Sequence, residues 1–476
     1  MKKVRLVLIS LLMFFAVTGC SNEDKNLLDK DDPTTIQVWH YYNGAQQEEF
    51  NRLVDEFNKT VGKEKGIIVE GSGQGTISDL ERNVLDSING KAGAADIPNI
   101  FAAYGDTAYQ VDKLGYAVDL NKYFSKDELS KYVDGYLEEG HFSSKDTLKI
   151  FPVAKSVELF MLNKTDWEKF ANATGASTND LNTIEGVTKV AEQYYNWTDS
   201  LTAAPNDGKA FFGRDAFANY MLVGYRQLAT DIFSKKDNKI VLNFEADIAK
   251  KLWDNYYVPY ISGYFSSSGK FRSDDIKIGN ILACVSSSSS VTYFPKEVIL
   301  NDEESHSIEL ETFACPKFKD GKDYVVQQGA GMVVLKSEEK EQQAAVEFLK
   351  WFTSDKQNIA FSNASGYLPV TKSANDLDKI TDEVEVNESV KKTLNTSLKM
   401  ISDNNMYTSV PFEKGTDARN VLETTMSNLV KQDRETVITN LSNGMNLEQA
   451  ISQFNNDTYF NQWYTNTKSQ LESLIK

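Results

Sequence analysis

The chain contains few of the residues from which several large classes of protein build their functional sites. Its 476 residues include three His, which leaves little material for a His-built metal site or catalytic centre. The 51 Lys and Arg are outnumbered by 68 Asp and Glu, giving a net charge of −17. This acidic balance argues against a protein that binds nucleic acid, because such a protein needs a basic face against phosphates.

Long apolar runs and common catalytic motifs are also missing. Beyond the amino terminus, no apolar run reaches the roughly 18 residues that span a bilayer. The sequence has no Gly-x-Ser-x-Gly elbow, no P-loop and no His-Glu-x-x-His pair. The acidic stretch Asp29 to Asp32 lacks the glycine and the spacing of an EF-hand loop. The sequence therefore predicts no catalytic residue, no cofactor and no metal site.

Cysteine is scarce as well, and the three present are too few for a disulfide framework. Cys284 and Cys315 both lie in apolar, strand-like surroundings. The two thiols could pair outside the cell, but these surroundings favour buried free thiols.

The amino terminus has the arrangement of a signal sequence. A positively charged start is followed by the apolar stretch Leu6 to Val17, which is too short to span a bilayer. Val17-Thr18-Gly19-Cys20 then resembles a bacterial lipobox. The resemblance implies cleavage before Cys20 and attachment of diacylglycerol to its sulfur. An ordinary secretory signal with an incidental Cys is the alternative.

From this segment we predict a lipoprotein signal peptide over residues 1–19 and a flexible, lipidated tether over residues 20–33. An acyl anchor supplies membrane affinity without a transmembrane helix. The mature protein is expected on the extracellular face of the bacterial cell membrane, held there by the lipid on Cys20.

The body of the chain alternates strand-like and helix-like segments, and its length predicts more than one domain. The first predicted strands are Ile36–Trp39, Ile67–Val69 and Asn99–Ala102, and the predicted helices between them are 46–60 and 76–90. Strands that alternate with helices of these lengths are typical of a parallel α/β sheet. In open α/β sheets, ligands bind beyond the carboxyl ends of the strands.

Several segments, in their order and spacing, resemble the family 1 extracellular solute-binding proteins, the ligand-capturing subunits of ABC importers. The resemblance covers nearly all of the mature chain. The segments that carry it are Val38–Tyr42, Phe151–Ser156 with Leu159–Lys164, Gly329–Leu335 with Ala344–Phe352, and Gly366–Val370. It implies a two-lobe α/β fold of the type II periplasmic-binding-protein kind, with a hinge and a ligand cleft between the lobes.

By this resemblance we place lobe one at residues 34–152 plus 312–338 and lobe two at residues 153–311 plus 339–476. The expected partners are a small solute, the permease subunits of the importer and, through Cys20, the membrane. We expect no nucleic-acid partner, and a monomer.

The first candidate ligand contacts follow predicted strands. Trp39, Tyr41 and Tyr42 offer aromatic faces and hydroxyls, which suit sugars, although ordinary packing is the alternative. A carboxylate at Asp106 could accept hydrogen bonds from vicinal hydroxyls or could cap a helix. Ser156 matches a ligand position of the family, whereas its neighbour Lys155 is better interpreted as a solvated lysine.

The remaining candidates lie in the second half of the chain. The run Ser286 to Ser290, with Ser287 and Ser288 as the chosen contacts, offers hydroxyls and backbone N–H groups, although a flexible loop is the alternative. Gly329 would let the backbone approach a ligand closely. Tyr367 resembles a ligand tyrosine of the family, and Arg419 could point into the cleft.

Two ligand classes stay open at this point. The family as a whole binds mostly mono- and oligosaccharides, while this set of residues has some resemblance to its glycerol-phosphate-binding branch. Asp106 departs from that branch, which carries Glu there. We therefore favour a carbohydrate or polyol, with a phosphorylated polyol next.

Two other classes of function remain as alternatives. A secreted carbohydrate-active enzyme would need two carboxylates across a cleft, and no motif supports one. A surface adhesin lipoprotein would not need aromatic, Ser and Gly residues clustered at strand ends. The sequence thus favours a binding protein over an enzyme.

Overall fold

Two four-stranded β-sheets organise the computed structural model, which describes residues 26–237, 239–382 and 388–476. Cys20 and the predicted signal peptide lie outside these residues. The strands are β1 (Thr34–His40), β2 (Ile67–Gly73), β3 (Ile100–Ala103), β4 (Glu158–Asn163), β5 (Phe212–Arg214), β6 (Phe233–Lys236), β7 (Lys239–Leu242), β8 (Ala283–Ser287), β9 (Glu297–Ile299), β10 (Ser305–Ser307), β11 (Leu310–Ala314), β12 (Tyr324–Val326), β13 (Gly331–Val334) and β14 (Asn405–Tyr407).

Helices cover both sheets and form most of the carboxyl-terminal part of the chain. The α-helices are α1 (Gly44–Lys59), α2 (Val61–Lys65), α3 (Ile77–Ile88), α4 (Gly105–Lys113), α5 (Lys126–Leu129), α6 (Asp134–Glu138), α7 (Lys164–Thr174), α8 (Ile184–Asp199), α9 (Phe217–Leu228), α10 (Ala246–Asp254), α11 (Tyr257–Ile261), α12 (Arg272–Lys277), α13 (Glu339–Phe352), α14 (Asp355–Ser365), α15 (Leu377–Asp382), α16 (Glu388–Asp403), α17 (Gly415–Ser442), α18 (Leu447–Ile451) and α19 (Asp457–Leu474).

The first sheet has the order β13-β3-β1-β2 and forms the centre of what we call lobe one. Strand β1 runs parallel to β2 and β3, as the alternation of strands and helices predicts, while β13 is antiparallel to β3. Ile36 and Val38 of β1 are fully buried, and Phe50 and Phe57 of α1 pack in the same core. The helical spacing of these apolar residues is what directs one face of α1 onto the sheet.

The second sheet has the order β11-β4-β8-β5 and forms the centre of lobe two. Strand β4 is antiparallel to both β8 and β11, whereas β5 is parallel to β8. Every residue of β4 is buried, because α-helices pack on one side of the sheet and a second apolar cluster, which includes Leu394 of α16, covers the other. Helices α17 and α19 complete the larger core of this lobe.

Segments that are distant in sequence pair with one another where the lobes join. Ser156 pairs with Gln328, Lys155 pairs with Leu368, and β12 pairs in parallel with β14. Gly329 has φ +89°, a left-handed conformation, and a Cβ there would lie 2.7 Å from the carbonyl oxygen of Ala154. Glycine is therefore required where the strands of this hinge approach most closely.

The predicted lobe boundaries remain a proposal, which the packing leads us to amend in two places. Strand β11 pairs with β4 of lobe two, although its last three residues were predicted in lobe one. Helix α13 packs in the core of lobe one through Phe348 and Phe352, although it was predicted in lobe two. We therefore propose that β11 belongs to lobe two and α13 to lobe one.

Residues at the end of the predicted tether pack against lobe one. The backbone N–H of Leu27 donates to Gln343, at 2.9 Å, and Lys340 forms an ion pair with Asp32 at 2.8 Å. A Cβ at Gly66 would overlap the backbone of Asp29. Residues 27–32 therefore have partners in α13 and in the turn before β2, while the flexible tether stays a prediction.

Two further sequence predictions concern cysteine and the membrane. Cys284 and Cys315 are unpaired, as expected; Cys284 is buried and Cys315 is half-buried, and burial raises the pKa of both thiols. Within the described part of the chain, no helix combines the length and the apolar character that a membrane span requires.

Candidate ligand-binding site

A cavity of about 440 Å³ lies between the lobes, next to the hinge. This volume falls in the range of pockets that hold small molecules. Lobe one contributes Ile77, Ser78, Glu81, Tyr104, Gly105, Asp106 and Glu139; the hinge and the segment after it contribute 326–328 and 407–412; lobe two contributes Ala216, Asn219, Leu222, Phe233, Gly415, Thr416, Arg419, Asn420 and Glu423. Of the ten residues predicted as ligand contacts, Asp106 and Arg419 line this cavity.

Asp106 lies in the first turn of α4 and touches the segment that leads into α17 of lobe two. Its Oδ1 accepts the backbone N–H of Phe412 at 3.1 Å, and an ideal Cβ at Gly415 would overlap its carboxylate. The cap position of α4 is Tyr104, so Asp106 does not cap this helix and that alternative is wrong. Burial raises the pKa of Asp106 to about 6, while the Phe412 amide and Arg419 oppose the rise. Asp106 is thus a point of contact between the lobes as well as a wall of the cavity.

A second contact joins the same two segments at the rim. Lys113, at the end of α4, forms an ion pair with Glu413 at 2.6 Å, with both side chains more than half exposed. Exposed ion pairs contribute little to stability. The close packing around Asp106 therefore defines this contact between lobes more than the ion pair does.

Arg419 reaches the cavity from the second turn of α17 and is held by a chain of polar contacts. Its Nη2 donates to Oδ1 of Asn219 at 2.6 Å, and Nδ2 of Asn219 donates to Glu158 at 2.7 Å. Glu158 is also paired with Arg214 at 2.9 Å and is buried. Burial raises the pKa of Glu158, and Arg214 opposes that shift. This network fixes the guanidinium of Arg419 at the cavity wall.

Glu423 follows Arg419 by one helical turn, on the same face of α17, and sequence reasoning missed it. Its carboxylate accepts the backbone N–H of Phe217 at 3.0 Å and of Ala218 at 2.6 Å. These are the first two residues of α9, whose cap position, Ala216, has no side-chain oxygen. The i,i+4 spacing from Arg419 was the one available sequence signal for Glu423.

Tyr104 and Glu81 extend the lobe-one wall and were also missed as contacts. Tyr104 is 38% exposed, so its ring is available to the cavity. The adjacent Tyr41 hydroxyl raises the pKa of Tyr104. Burial raises the pKa of Glu81. The negative charge of Glu81 adds to the effect of burial in raising the pKa of Asp106. An aromatic face beside two carboxylates can pack on C–H groups and accept hydrogen bonds from hydroxyls.

Four predicted contacts lie outside this lining, and their hydroxyls bond to each other in pairs. The hydroxyls of Tyr41 and Tyr367 are 3.4 Å apart, and Tyr41 also accepts the backbone N–H of Ala330 at 3.4 Å. Ser287 donates to Ser156 at 3.0 Å. None of these four side chains lines the cavity described above. We call them the hydroxyl cluster.

The other four predicted contacts are packed inside the protein or form the hinge. Trp39 and Tyr42 are buried in the core of lobe one, where the Tyr42 ring lies 5.4 Å from that of Phe50. Ser288 is fully buried. Gly329 lies in the hinge directly after Gln328, which lines the cavity. Their roles as ligand contacts stay predictions.

Lys155 is not solvated, and that interpretation is wrong. Its side chain is 1% exposed and forms an ion pair with Glu139 of lobe one. Its Nζ also donates to the carbonyl oxygen of Gly329 at 2.9 Å. The residues around it, Glu139, Gly329 and Leu368, are distant in sequence. The neighbouring residues in the sequence therefore could not predict that Lys155 is buried. The pair holds Glu139 at the cavity wall.

The chain was compared with known families and structures. The family model described as bacterial extracellular solute-binding protein matches residues 52–388. The chain therefore belongs to the bacterial extracellular solute-binding protein family. A search of curated proteins found no match.

Solved structures of similar fold cover almost the whole chain. UgpB from Mycobacterium tuberculosis, in complex with glycerophosphocholine, has a TM-score of 0.69 at 14% identity, over 93% of this chain and 100% of that one. The cyclic alpha-maltosyl-1,6-maltose binding protein from Arthrobacter globiformis has a TM-score of 0.67 at 17% identity, over 93% and 99%. An ABC substrate-binding protein from Listeria monocytogenes, in complex with cycloalternan, has a TM-score of 0.64 at 15% identity, over 93% and 100%. The predicted two-lobe, type II periplasmic-binding-protein fold is confirmed.

Proposed function

We propose that this member of the solute-binding protein family captures a carbohydrate or polyol in the cavity between its lobes and delivers it to the permease of an ABC importer. The observation that supports this most is the cavity of about 440 Å³, to which Asp106 comes from one lobe and Arg419 from the other. A ligand that touches both lobes favours the closed arrangement, because it has differential affinity for that state.

The cavity wall has the chemistry that a polyhydroxylated ligand requires. Asp106 and Glu81 are acceptors for ligand hydroxyls, and Arg419 is a donor to ligand oxygens. Tyr104 offers a ring face to the apolar C–H groups of a sugar. Two of the structures of similar fold named above are complexes, one with cycloalternan and one with glycerophosphocholine. The first ligand agrees with a carbohydrate, and the second contains a phosphate, as the phosphorylated alternative does.

Anchoring and delivery complete the proposal. The lipobox-like Val17–Cys20 supports a lipid anchor on Cys20, which would keep the protein at the extracellular face of the membrane. The sequence has no P-loop, which supports an ATPase on a separate chain, and we propose that the permease is a separate chain as well. We propose a binding role without catalysis.

A thermal-unfolding screen of residues 21–476 against neutral sugars, polyols and phosphorylated polyols tests the proposal. A ligand present at 100 times its dissociation constant should stabilise the protein by roughly 2.7 kcal/mol, and Arg419→Ala should reduce the shift. Recovery of the ligand unchanged after prolonged incubation separates a binding protein from an enzyme. No shift with any compound of the panel would contradict the proposal and favour an adhesin.

A further inference from the structure

We infer that Glu423 is a specificity-determining residue whose carboxylate occupies an anion-binding position in the cavity wall and thereby excludes phosphorylated ligands. The inference rests on the proposed function, because it concerns the ligand class of the same cavity. It selects the unphosphorylated carbohydrate or polyol from the classes that the sequence left open.

The first observation is the amino terminus of α9. The first N–H groups of a helix have no intrahelical partner and lie at the positive end of the helix dipole, so they attract anions. In α9 the N–H groups of Phe217 and Ala218 donate to the two carboxylate oxygens of Glu423, at 3.0 and 2.6 Å. Glu423 therefore binds there in the bidentate way that a phosphate would.

The second observation is the position of Arg419. Its guanidinium donates to Asn219, the third residue of α9. The first turn of α9 thus contains the two amides and also Asn219, which binds the guanidinium, at the wall of the cavity. Backbone amides and a guanidinium form the donor set that binds phosphate in proteins. The protein supplies its own carboxylate to that set, so an incoming phosphate would have to displace Glu423.

The third observation is the charge of the rest of the wall. Among the described residues that line the cavity, Glu81, Asp106 and Glu139 are further carboxylates, and Arg419 is the one Lys or Arg. Glu139 is paired with Lys155, outside the lining. The remaining acids would repel an anionic ligand, whereas they would accept hydrogen bonds from neutral hydroxyls.

Calorimetric titration with inorganic phosphate tests the inference without knowledge of the natural ligand. We expect no saturable binding by the wild-type protein at millimolar phosphate. Glu423→Ala should bind phosphate at least about tenfold more tightly than wild type, because it frees both amides beside Arg419. Glu81→Ala is the matched control: it removes the same charge from the same cavity without freeing a helix terminus, and it should not gain comparable binding.

Glu423→Gln, which removes the charge but keeps the side-chain volume, serves if Glu423→Ala fails to fold, and it should gain phosphate affinity in the same direction. Phosphate binding by the wild type, equal gains in Glu81→Ala and Glu423→Ala, or no gain in either Glu423 variant would overturn the inference. Binding of neutral sugars or polyols by the wild type reports separately on the proposed function. Glycerol and glycerol 3-phosphate, titrated into wild type and Glu423→Ala, provide a matched ligand pair.

Discussion

The cavity wall and the hydroxyl cluster contain similar polar residues in different situations. Asp106 and Arg419 face a cavity of about 440 Å³. The hydroxyl cluster consists of side chains that bond to one another, with Ser156 buried. Asp106 and Arg419 also have protein partners, so the difference between the two sets is that Asp106 and Arg419 line the cavity and the hydroxyl cluster does not. We therefore propose that the residues of the cavity wall bind the ligand and that the hydroxyl cluster stabilises the hinge.

The largest loss of stability should come from substitution of Lys155, which is buried against Glu139 and the hinge residue Gly329. Lys155→Met would leave Glu139 largely buried without its cation, and such changes cost about 3–5 kcal/mol of unfolding free energy. Lys113→Met, which breaks the exposed pair with Glu413, is the matched control and should leave the free energy of unfolding nearly unchanged. Chemical denaturation measures both. Equal losses would show that burial of the Lys155 pair has no special importance.

A smaller loss is expected at the contact between the lobes. Gly415→Ala would place a methyl group against the Asp106 carboxylate, and such overpacking costs about 1–3 kcal/mol. It should also weaken ligand binding, since the lobes could not approach as closely. The cost should largely disappear when Gly415→Ala is combined with Asp106→Ala. A full cost in the double variant would mean that the strain arises elsewhere.

Asp106 should make the free energy of unfolding depend on pH. Its pKa is about 6 in the folded protein and near 3.9 in an unfolded chain, so the folded state binds the proton more tightly. Its stabilising contribution is therefore present at low pH and is lost as the pH rises through about 6. Between pH 7 and pH 5 the wild type should gain roughly 1 kcal/mol relative to Asp106→Asn. If the wild type instead lost stability relative to Asp106→Asn over this range, the folded protein would favour the charged carboxylate.

The smallest effect on binding should come from the hydroxyl cluster. Ser287→Ala removes the donor to Ser156 and should lower stability by about 1 kcal/mol. It should leave the affinity for a neutral sugar or polyol nearly unchanged, while Arg419→Ala weakens it. Isothermal titration of both variants makes the comparison, and an affinity loss in Ser287→Ala as large as in Arg419→Ala would contradict it.

The fold and part of the cavity wall could be predicted from sequence because their signals are local. Alternating apolar residues locate β1 and β2, and Asp106 and Arg419 follow recognisable segments. Glu423 could not be found in this way, because its partners Phe217 and Ala218 are more than 200 residues away in sequence. The hydrogen bonds within the hydroxyl cluster could not be predicted for the same reason, and the role of its residues as ligand contacts stays a prediction. Its residues lie at strand ends as ligand contacts do, and only tertiary packing shows that they bond to one another.

The most direct test of this account is a crystal structure of the protein with a neutral sugar or polyol identified in the thermal screen. We expect the ligand between Asp106 and Arg419, in contact with Tyr104, while the hydrogen bonds of Tyr41 with Tyr367 and of Ser156 with Ser287 remain. A ligand held by Tyr41, Ser287 and Tyr367, outside the cavity, would contradict the account.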